Sequence, residues 1–317
     1  MYFIGELRDV DKAKEIIEEL ANRSIDADLR YISEQDLYAI FIVDESRATE
    51  AHDLYRVKLG LKKPIEIEKE WIELKKIPLG FFTKVFIFIS VILFLLSYSK
   101  FGSQLYSELM FSNPEESVLF SSLMKGEVYR LITPIFLHMS ILHILFNMLW
   151  FKDLASLLED KFSLKFYFFF CFFTGLGSNL LQYLVQGPRF GGMSGVLYAL
   201  LGFFWIYKKS HKNFDYGIPD RDMRIMLFWF VLCLTGFLGP IANLAHAGGL
   251  TLGMIIALFI NRDAMSYSWK KQVLVFFAAL AILLATIFIE GFKLRGNFYY
   301  QKDLAKSALE VENPEII

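Results

Sequence analysis

The chain has few of the features that are typical of secreted disulfide-rich proteins or of nucleic-acid-binding proteins. It contains two cysteines, Cys171 and Cys233, in 317 residues, whereas a secreted disulfide scaffold uses many more. Both lie in apolar stretches, so we expect them to be buried and reduced. The formal net charge is −1, and no basic stripe suggests nucleic acid as a partner. The first 20 residues are charged throughout and do not resemble a signal peptide, so we expect the amino terminus to stay in the cytoplasm.

Apolar residues are abundant and unevenly distributed. Hydrophobic residues make up 55% of the chain, and 33 residues are phenylalanine. Crossing a hydrocarbon core of about 30 Å takes roughly 20 apolar residues in a helix. Stretches of that kind predict a polytopic α-helical membrane protein: 79–98, 131–151, 164–186, 223–239 and 241–260, with a shorter helix over 193–207 and a possible seventh span over 273–289.

The charged residues crowd into the front of the chain. Residues 1–65 predict a small α/β domain in the order βαββα, as in half of a ferredoxin-like fold. Its single histidine, His52, is expected on the surface. Residues 66–78 predict a linker to the membrane, and 99–130 an interfacial loop. The tail, 290–317, suggests no chemistry.

The orientation follows from the distribution of basic residues. The loop 208–224 is rich in lysine and arginine, whereas the loop 187–192 has only Arg189. Because basic loops stay in the cytoplasm, this agrees with a cytoplasmic amino terminus. Ser194 is then expected at the outer end of the short helix, recessed from the surface.

Ionisable residues inside spans are costly, and each is a functional hypothesis. The predicted spans contain His138, His143 and His246, with Asn147 beside the second of these, and no aspartate or glutamate in mid-span. That absence argues against an aspartyl intramembrane protease and weakens the case for a proton-coupled transporter. The two histidines of "HMSILH" are about 140° apart around a helix. They do not match the H-E-x-x-H zinc motif, so no metal is expected.

Ser194 and His246 together predict nucleophilic catalysis, in which a serine needs a base within hydrogen-bond reach. Tyr198, one turn after the serine, is expected to orient the imidazole in place of a triad carboxylate. His143 and Asn147 share a helix face and can both donate to one point. Rows of small residues should let the two helices approach closely: Gly195, Ala199 and Gly202 on one, and Ala245, Gly249 and Gly253 on the other.

Each of these features has a simpler explanation when taken alone. Ser194 is then a structural serine, His246 a buried histidine with its hydrogen bonds satisfied, and the glycine rows helix packing. The serine hydrolase elbow G-x-S-x-G is excluded because residue 196 is valine. The chemical interpretation rests on several complementary polar groups at one depth.

Three separated motifs, "GMSG" followed by "YAL", "HMSILHILFNMLWF" and "AHAGG", resemble the rhomboid family of intramembrane serine proteases over residues 79–260. The preceding soluble domain is similar to that of one bacterial type. The resemblance implies a six-helix core over 79–260, and the apolar run that follows predicts a seventh transmembrane helix and a tail over 261–317. Tyr129-Arg130 departs from the Trp-Arg pair common in the family.

The resemblance also implies a role for each candidate site residue. Ser194 is the nucleophile and His246 the general base, with the Tyr198 ring packed on it. His143 and Asn147, together with the Ser194 N–H, are the oxyanion donors. His138 supports the site, and Gly192 forms the turn that permits close approach.

We therefore expect a serine endopeptidase of a bacterial inner membrane. It would cleave single-span membrane proteins near the outer face through a Ser-His dyad, with the lipid bilayer as its surroundings and with no cofactor or metal. The resemblance also implies that the fifth span, with Phe228 and Trp229, moves to admit substrate. Two alternatives stay open at this point. A client-binding pseudoenzyme would lack Ser194 or His246, and a transporter would show charged residues in several spans.

Overall fold

The computed structural model describes residues 1–63, 68–113 and 120–312, with the backbone alone from 296 onward. The chain divides into two compact units, Met1–Ile67 and Glu68–Ile317. The prediction of a mostly helical chain with a small α/β region at the front is confirmed, and the sheet of that region is antiparallel.

The first unit contains the predicted βαββα order. Its antiparallel sheet has the strand order β1-β3-β2, and its core includes Ile16, Leu20 and Ile40. Asp9 caps the first helix, since its carboxylate accepts from the N–H groups of Asp11 and Lys12 at 3.0 Å each. The elements are β1 (Tyr2–Leu7), α1 (Val10–Asn22), β2 (Ala27–Ile32), β3 (Leu37–Ile42) and α2 (Ala48–Lys58).

The described part of the second unit is helical. Its helices are α3 (Lys69–Lys75), α4 (Phe81–Ser97), α5 (Gly102–Leu109), α6 (Ser121–Met124), α7 (Ile141–Lys161), α8 (Leu164–Gln186), α9 (Ser194–Ser210), α10 (Asp220–Leu234), α11 (Asn243–Phe259) and α12 (Trp269–Glu312). By length and composition, α7, α8 and residues 269–295 of α12 can cross a membrane, and α4 and α11 are shorter apolar helices.

The second predicted span is displaced along the chain. Instead of a helix over 131–151, two 3₁₀ turns occupy Val128–Leu131 and Thr133–Phe136, and α7 begins only at Ile141. Pro134 interrupts a helix here because it lacks an N–H and its φ angle is restricted. Ser140 then caps α7 by accepting from the His143 N–H at 3.2 Å. His138 therefore precedes the helix that carries His143 and Asn147.

The stretch predicted as a linker, 66–78, contains a folded helix, α3. The Trp71 indole donates to the Asp222 carboxylate at 2.5 Å, and its ring lies 5.9 Å from that of Trp150. Through these contacts, α3 packs against α7 and α10 and is not a free linker. Residues 64–67 lie outside the described part of the chain.

Two other predicted segments also differ from the structure. The span predicted over 223–239 is α10, which ends at Leu234 because Gly236, Gly239 and Pro240 follow. The interfacial loop predicted over 99–130 contains the short helices α5 and α6, and its residues 114–119 are not described.

Helix α9 lies at the centre of the second unit. Every residue from Ser194 to Phe204 is buried, and aromatic rings from α8 and the α7–α8 turn pack against it, including Phe170 and Phe162 against Phe203. Side chains at the start of α9 are thus held on several sides.

Candidate active site

Helices α9 and α11 touch backbone to backbone. A methyl group at Gly249 would overlap the Gly195 carbonyl oxygen, and one at Gly253 would overlap the Ala199 carbonyl oxygen. The small residues in both sequence rows therefore lie at the contact between the helices. This contact brings the first turns of the two helices side by side.

Ser194 and His246 meet at that point. The Ser194 Oγ lies 2.8 Å from the His246 Nε2, and the two residues are only 9% and 7% exposed. In a neutral imidazole one ring nitrogen accepts and the other carries the proton. When Nε2 accepts from the serine hydroxyl, Nδ1 carries the proton. This buried Nδ1 atom has no hydrogen-bond partner among the described residues.

The tyrosine ring expected beside the imidazole is present. The ring centroids of Tyr198 and His246 are 4.6 Å apart and the planes are inclined by 31°. The centroid of the Phe230 ring, on α10, lies 5.7 Å from that of the Tyr198 ring. The imidazole is therefore held by packing.

Gly192 shapes the turn before the serine. Its φ angle is +126°, a conformation that residues with a Cβ rarely adopt, and its N–H donates to the Pro134 carbonyl at 2.9 Å. A methyl group added here would lie 2.6 Å from the His143 Nε2 and 3.6 Å from the Ser194 Oγ. The space beside Gly192 thus borders both the hydroxyl and a ring nitrogen that can donate.

Asn147 and His138 lie around His143. The Asn147 Nδ2 donates to the His143 carbonyl at 2.8 Å, so one of its two hydrogens is already used. The His138 ring lies 5.0 Å from the His143 ring in an edge-to-face arrangement. Its Nδ1 is 3.2 Å from the Phe136 carbonyl oxygen, and its own carbonyl accepts from the Tyr106 hydroxyl at 2.9 Å.

Arg130, of the pair that departs from the family pattern, is 3% exposed. Its guanidinium donates to the Ser107 carbonyl and to the Glu127 carboxylate, each at 2.5 Å. Arg130 therefore ties the 3₁₀ turn at Val128–Leu131 to α5.

A group of polar side chains at the start of α11 was not identified from the sequence. The Gln182 Oε1 accepts from the N–H groups of Leu244 and Ala245, both at 3.1 Å, next to His246. Asn243 and the largely buried Glu290 belong to the same group. The sequence does contain a signal for this group, because its members are amide and carboxylate residues that occur within apolar stretches or at their ends.

The second unit thus defines a class of protein: a helical, membrane-embedded protein in which two packed helices bring a serine and a histidine within hydrogen-bond distance. Such a pair is the arrangement that activates a hydroxyl as a nucleophile. Comparison with known proteins gives a family match for part of the second unit. Residues 125–263 match the Rhomboid domain family, so this part of the chain is similar to a rhomboid domain.

Proteins called rhomboid protease GlpG are among its relatives. The chain is 36% identical to that of Photorhabdus laumondii over 137 residues, which is 43% of this chain and 49% of the relative. It is 34% identical to that of Yersinia enterocolitica over 139 residues, or 44% and 50% of the two chains. The Yersinia pseudotuberculosis protein is 32% identical over the same lengths. The chain thus spans about half the length of the curated relatives it matches.

Proposed function

We propose that this protein is an intramembrane serine endopeptidase in which Ser194 and His246 form a catalytic dyad. The 2.8 Å separation of the Ser194 Oγ and the His246 Nε2 carries the proposal. The similarity to rhomboid proteases over 137 residues supports it.

In the first half of the reaction, the Ser194 Oγ attacks the scissile carbonyl carbon while His246 takes the hydroxyl proton on Nε2. The carbonyl π pair moves onto oxygen. When the tetrahedral intermediate collapses, the C–N bond breaks and His246 returns the proton to the leaving amine. An acyl ester on Ser194 results. In the second half, His246 removes a proton from water and the hydroxide attacks the ester carbonyl carbon. The C–O bond to Ser194 then breaks, His246 returns the proton to the Ser194 Oγ, and the carboxylic acid product leaves.

The oxyanion is held beside Gly192. The His143 Nε2 borders this space, and the Ser194 N–H is free to donate because the first N–H groups of a helix have no intrahelical partner. Asn147 adds its second amide hydrogen. His138 supports His143 through ring contact and does not react. Donors aimed at a developing charge in a water-poor site contribute a large part of the rate.

The substrates we propose are single-span membrane proteins cut near the outer face. A peptide bond locked in a helix is shielded from attack, so the substrate helix should unwind easily at the cleavage site. The enzyme would lie in a bacterial inner membrane with its amino terminus in the cytoplasm, and α12 would provide a seventh span.

Helix α10 is the proposed gate through which substrate enters from the lipid. Its Phe228 and Trp229 side chains are 67% and 46% exposed, and the Trp229 ring lies 6.2 Å from that of Phe146 on α7.

The proposal is tested with the full chain in lipid and a single-span reporter protein. We expect the parent to cleave the reporter and to form a covalent adduct with a fluorophosphonate, which phosphonylates activated serines. Ser194→Ala should abolish both activities. His246→Ala should lower both by several orders of magnitude, because the serine loses its base.

Two matched controls are available. Ser103→Ala removes an exposed serine of α5 and His52→Ala an exposed histidine of α2, and both should leave cleavage and labelling unchanged. Cleavage by a folded Ser194→Ala chain would overturn the dyad. A parent that binds several helix-destabilised reporters but neither cuts them nor reacts with the probe would be a client-binding pseudoenzyme.

A further inference from the structure

The last apolar helix, α12, carries a carboxylate that the proposed reaction does not use. Glu290 is 4% exposed. Its Oε2 accepts from the Gln186 Nε2 at 2.6 Å. Its Oε1 accepts from the Asn243 Nδ2 at 2.9 Å and from the Lys293 ammonium at 2.7 Å. An acidic group in a membrane helix is costly, and Glu290 offsets that cost with donors from α8, α11 and its own helix.

These contacts lead directly to the start of the helix that carries His246. Gln186 accepts on its Oε1 from the Gln182 Nε2 at 2.6 Å. Gln182 in turn accepts on its Oε1 from the N–H groups of Leu244 and Ala245. A continuous chain of hydrogen bonds thus runs from Glu290 to the two residues immediately before His246.

The carboxylate decides which way each amide in this chain points. An amide side chain has a donor end and an acceptor end and can be turned either way, whereas an ionised carboxylate only accepts. Glu290 therefore holds the NH₂ group of Gln186 toward itself, which leaves the Gln186 oxygen for Gln182. The Gln182 oxygen is left to face the helix. With the opposite orientation, the Gln182 NH₂ group would meet two backbone donors in a buried site.

The same carboxylate also orients Asn243, a side chain of α11 itself. The Asn243 Nδ2 donates both to Glu290 and to the Cys233 carbonyl at the end of α10, the latter at 3.2 Å. Glu290 is thus connected to the first turn of α11 both through Asn243 and through the two glutamines. The first turn of a helix otherwise has unsatisfied N–H groups and frays readily.

We infer that Glu290 is a positioning residue for His246: it fixes the polarity of the amide chain that anchors the first turn of α11. The inference rests on the proposed function for its effect on catalysis. It also gives α12 a role in the active site, although none of its side chains is among the proposed reacting groups.

The test compares Glu290→Leu with Thr251→Val in the full chain in lipid. Thr251 makes another hydrogen bond between α11 and α12, from its Oγ1 to the Ala279 carbonyl at 3.0 Å, so Thr251→Val weakens the docking of α12 without touching the amide chain. Hydrogen–deuterium exchange is measured at Leu244 and Ala245, together with kcat and KM for a reporter and the rate of fluorophosphonate labelling.

Glu290→Leu should accelerate exchange at both amides. It should also lower kcat and the labelling rate by about 10- to 100-fold, the cost of misplacing a reacting group by roughly 1 Å, with little change in KM. Thr251→Val should leave all of these near the parent values. The double variant Glu290→Gln, Gln186→Glu moves the carboxylate one place along the chain and should recover most of the activity lost in Glu290→Gln.

Unchanged exchange and labelling in Glu290→Leu would overturn the inference, as would equal effects in Thr251→Val. If Glu290→Leu does not fold, the comparison of Glu290→Gln with the double variant decides, and absence of recovery counts against the inference. Failure of the proposed function would be seen separately, as a parent that neither cleaves nor reacts. The exchange measurement would still test the anchoring in that case.

Discussion

At the scale of single residues, the site depends on small distances around one turn. Gly192 leaves open a space bordered by the His143 Nε2 and the Ser194 Oγ. A substrate carbonyl oxygen placed in this space would be close enough to accept a hydrogen bond from His143, and the carbonyl carbon would face the Ser194 Oγ. The side chain missing from this residue therefore matters as much as the side chains around it.

Gly192→Ala should abolish cleavage, because the added methyl would lie 2.6 Å from the His143 Nε2. The φ angle of +126° should also cost about 1–3 kcal/mol of stability once a Cβ is present. The measurements are kcat for the reporter, the labelling rate, and the midpoint of thermal unfolding.

Gly187→Ala is the matched control for this prediction. Gly187 also has a positive φ angle, +81°, but nothing lies within 4 Å of an added methyl. It should lose stability like Gly192→Ala and keep its activity. Full activity in a folded Gly192→Ala chain would show that the space beside this glycine is not where the carbonyl binds.

At the scale of elements, the site is a consequence of how closely α9 and α11 pack. Their contact involves backbone atoms, so it cannot yield by rotating a side chain. Interiors packed in this way respond to small changes in volume. The Ser194–His246 distance should therefore change with substitutions at the helix contact that touch neither residue.

Gly249→Ala should destabilise the protein by about 1–3 kcal/mol or more, as overpacking does, and should lower kcat as well. Its methyl would overlap the Gly195 carbonyl oxygen, next to Ser194. Gly248→Ala is the adjacent control, since the nearest atom to its methyl would be the end of the flexible Leu181 side chain, at 3.0 Å, while the Ser178 Cα would lie at an ordinary contact distance of 3.6 Å. Thermal unfolding and reporter cleavage test both, and equal effects would show that the α9–α11 contact is not what sets the geometry.

Helix α3 is joined to the end of α9 by an ion pair whose contribution should depend on pH. The Glu70 carboxylate accepts from the Lys208 ammonium at 2.5 Å, and this hydrogen bond lowers the pKa of Glu70 below its ordinary value of 4.5. Because folding favours the ionised form, the stabilisation is complete above that value. It is lost as the pH falls through the lowered pKa of the folded state.

Glu70→Gln should therefore lower stability at pH 7 by roughly 1 kcal/mol or less, as expected for a pair near the surface. Below pH 4.5 the difference from the parent should shrink. Thermal unfolding of both chains across this range is the measurement. A difference that stays constant down to pH 3 would assign the effect of the substitution to something other than the ion pair.

At the scale of the whole molecule, the two units have separate buried cores. The first is built on residues such as Ile16 and Ile40, and the second on the rings around Phe203. Every proposed site residue belongs to the second unit. The chemistry should therefore not require the first.

A chain that begins at Glu68 should keep fluorophosphonate labelling and reporter cleavage. A chain that begins at Leu79 also loses α3 and its contacts with Lys208 and Asp222. It should unfold at a lower temperature. If the shorter deletion abolished labelling in a folded protein, the first unit would have a part in catalysis.

Much of this architecture could be predicted from the amino-acid order, because it depends on local periodicity. The βαββα order and the apolar helices α4, α8 and α11 follow from composition and spacing. So does the choice of Ser194 and His246 as candidates, since a membrane discourages polar groups and makes the few that occur conspicuous. One prediction from local sequence was wrong. The helix predicted from residue 131 begins at Ile141, because Pro134 and Ser140 together determine its start.

Tertiary structure alone decided how residues distant in sequence meet. The 2.8 Å contact between Ser194 and His246 depends on backbone packing between two helices that begin about fifty residues apart. Glu290, which follows the last apolar run, appeared unremarkable in the sequence. Its burial among Gln186, Asn243 and Lys293 requires three helices to converge. Hydrophobic patterning thus specifies which segments are helices, whereas the donors and acceptors that satisfy one another are specified only by how those helices pack.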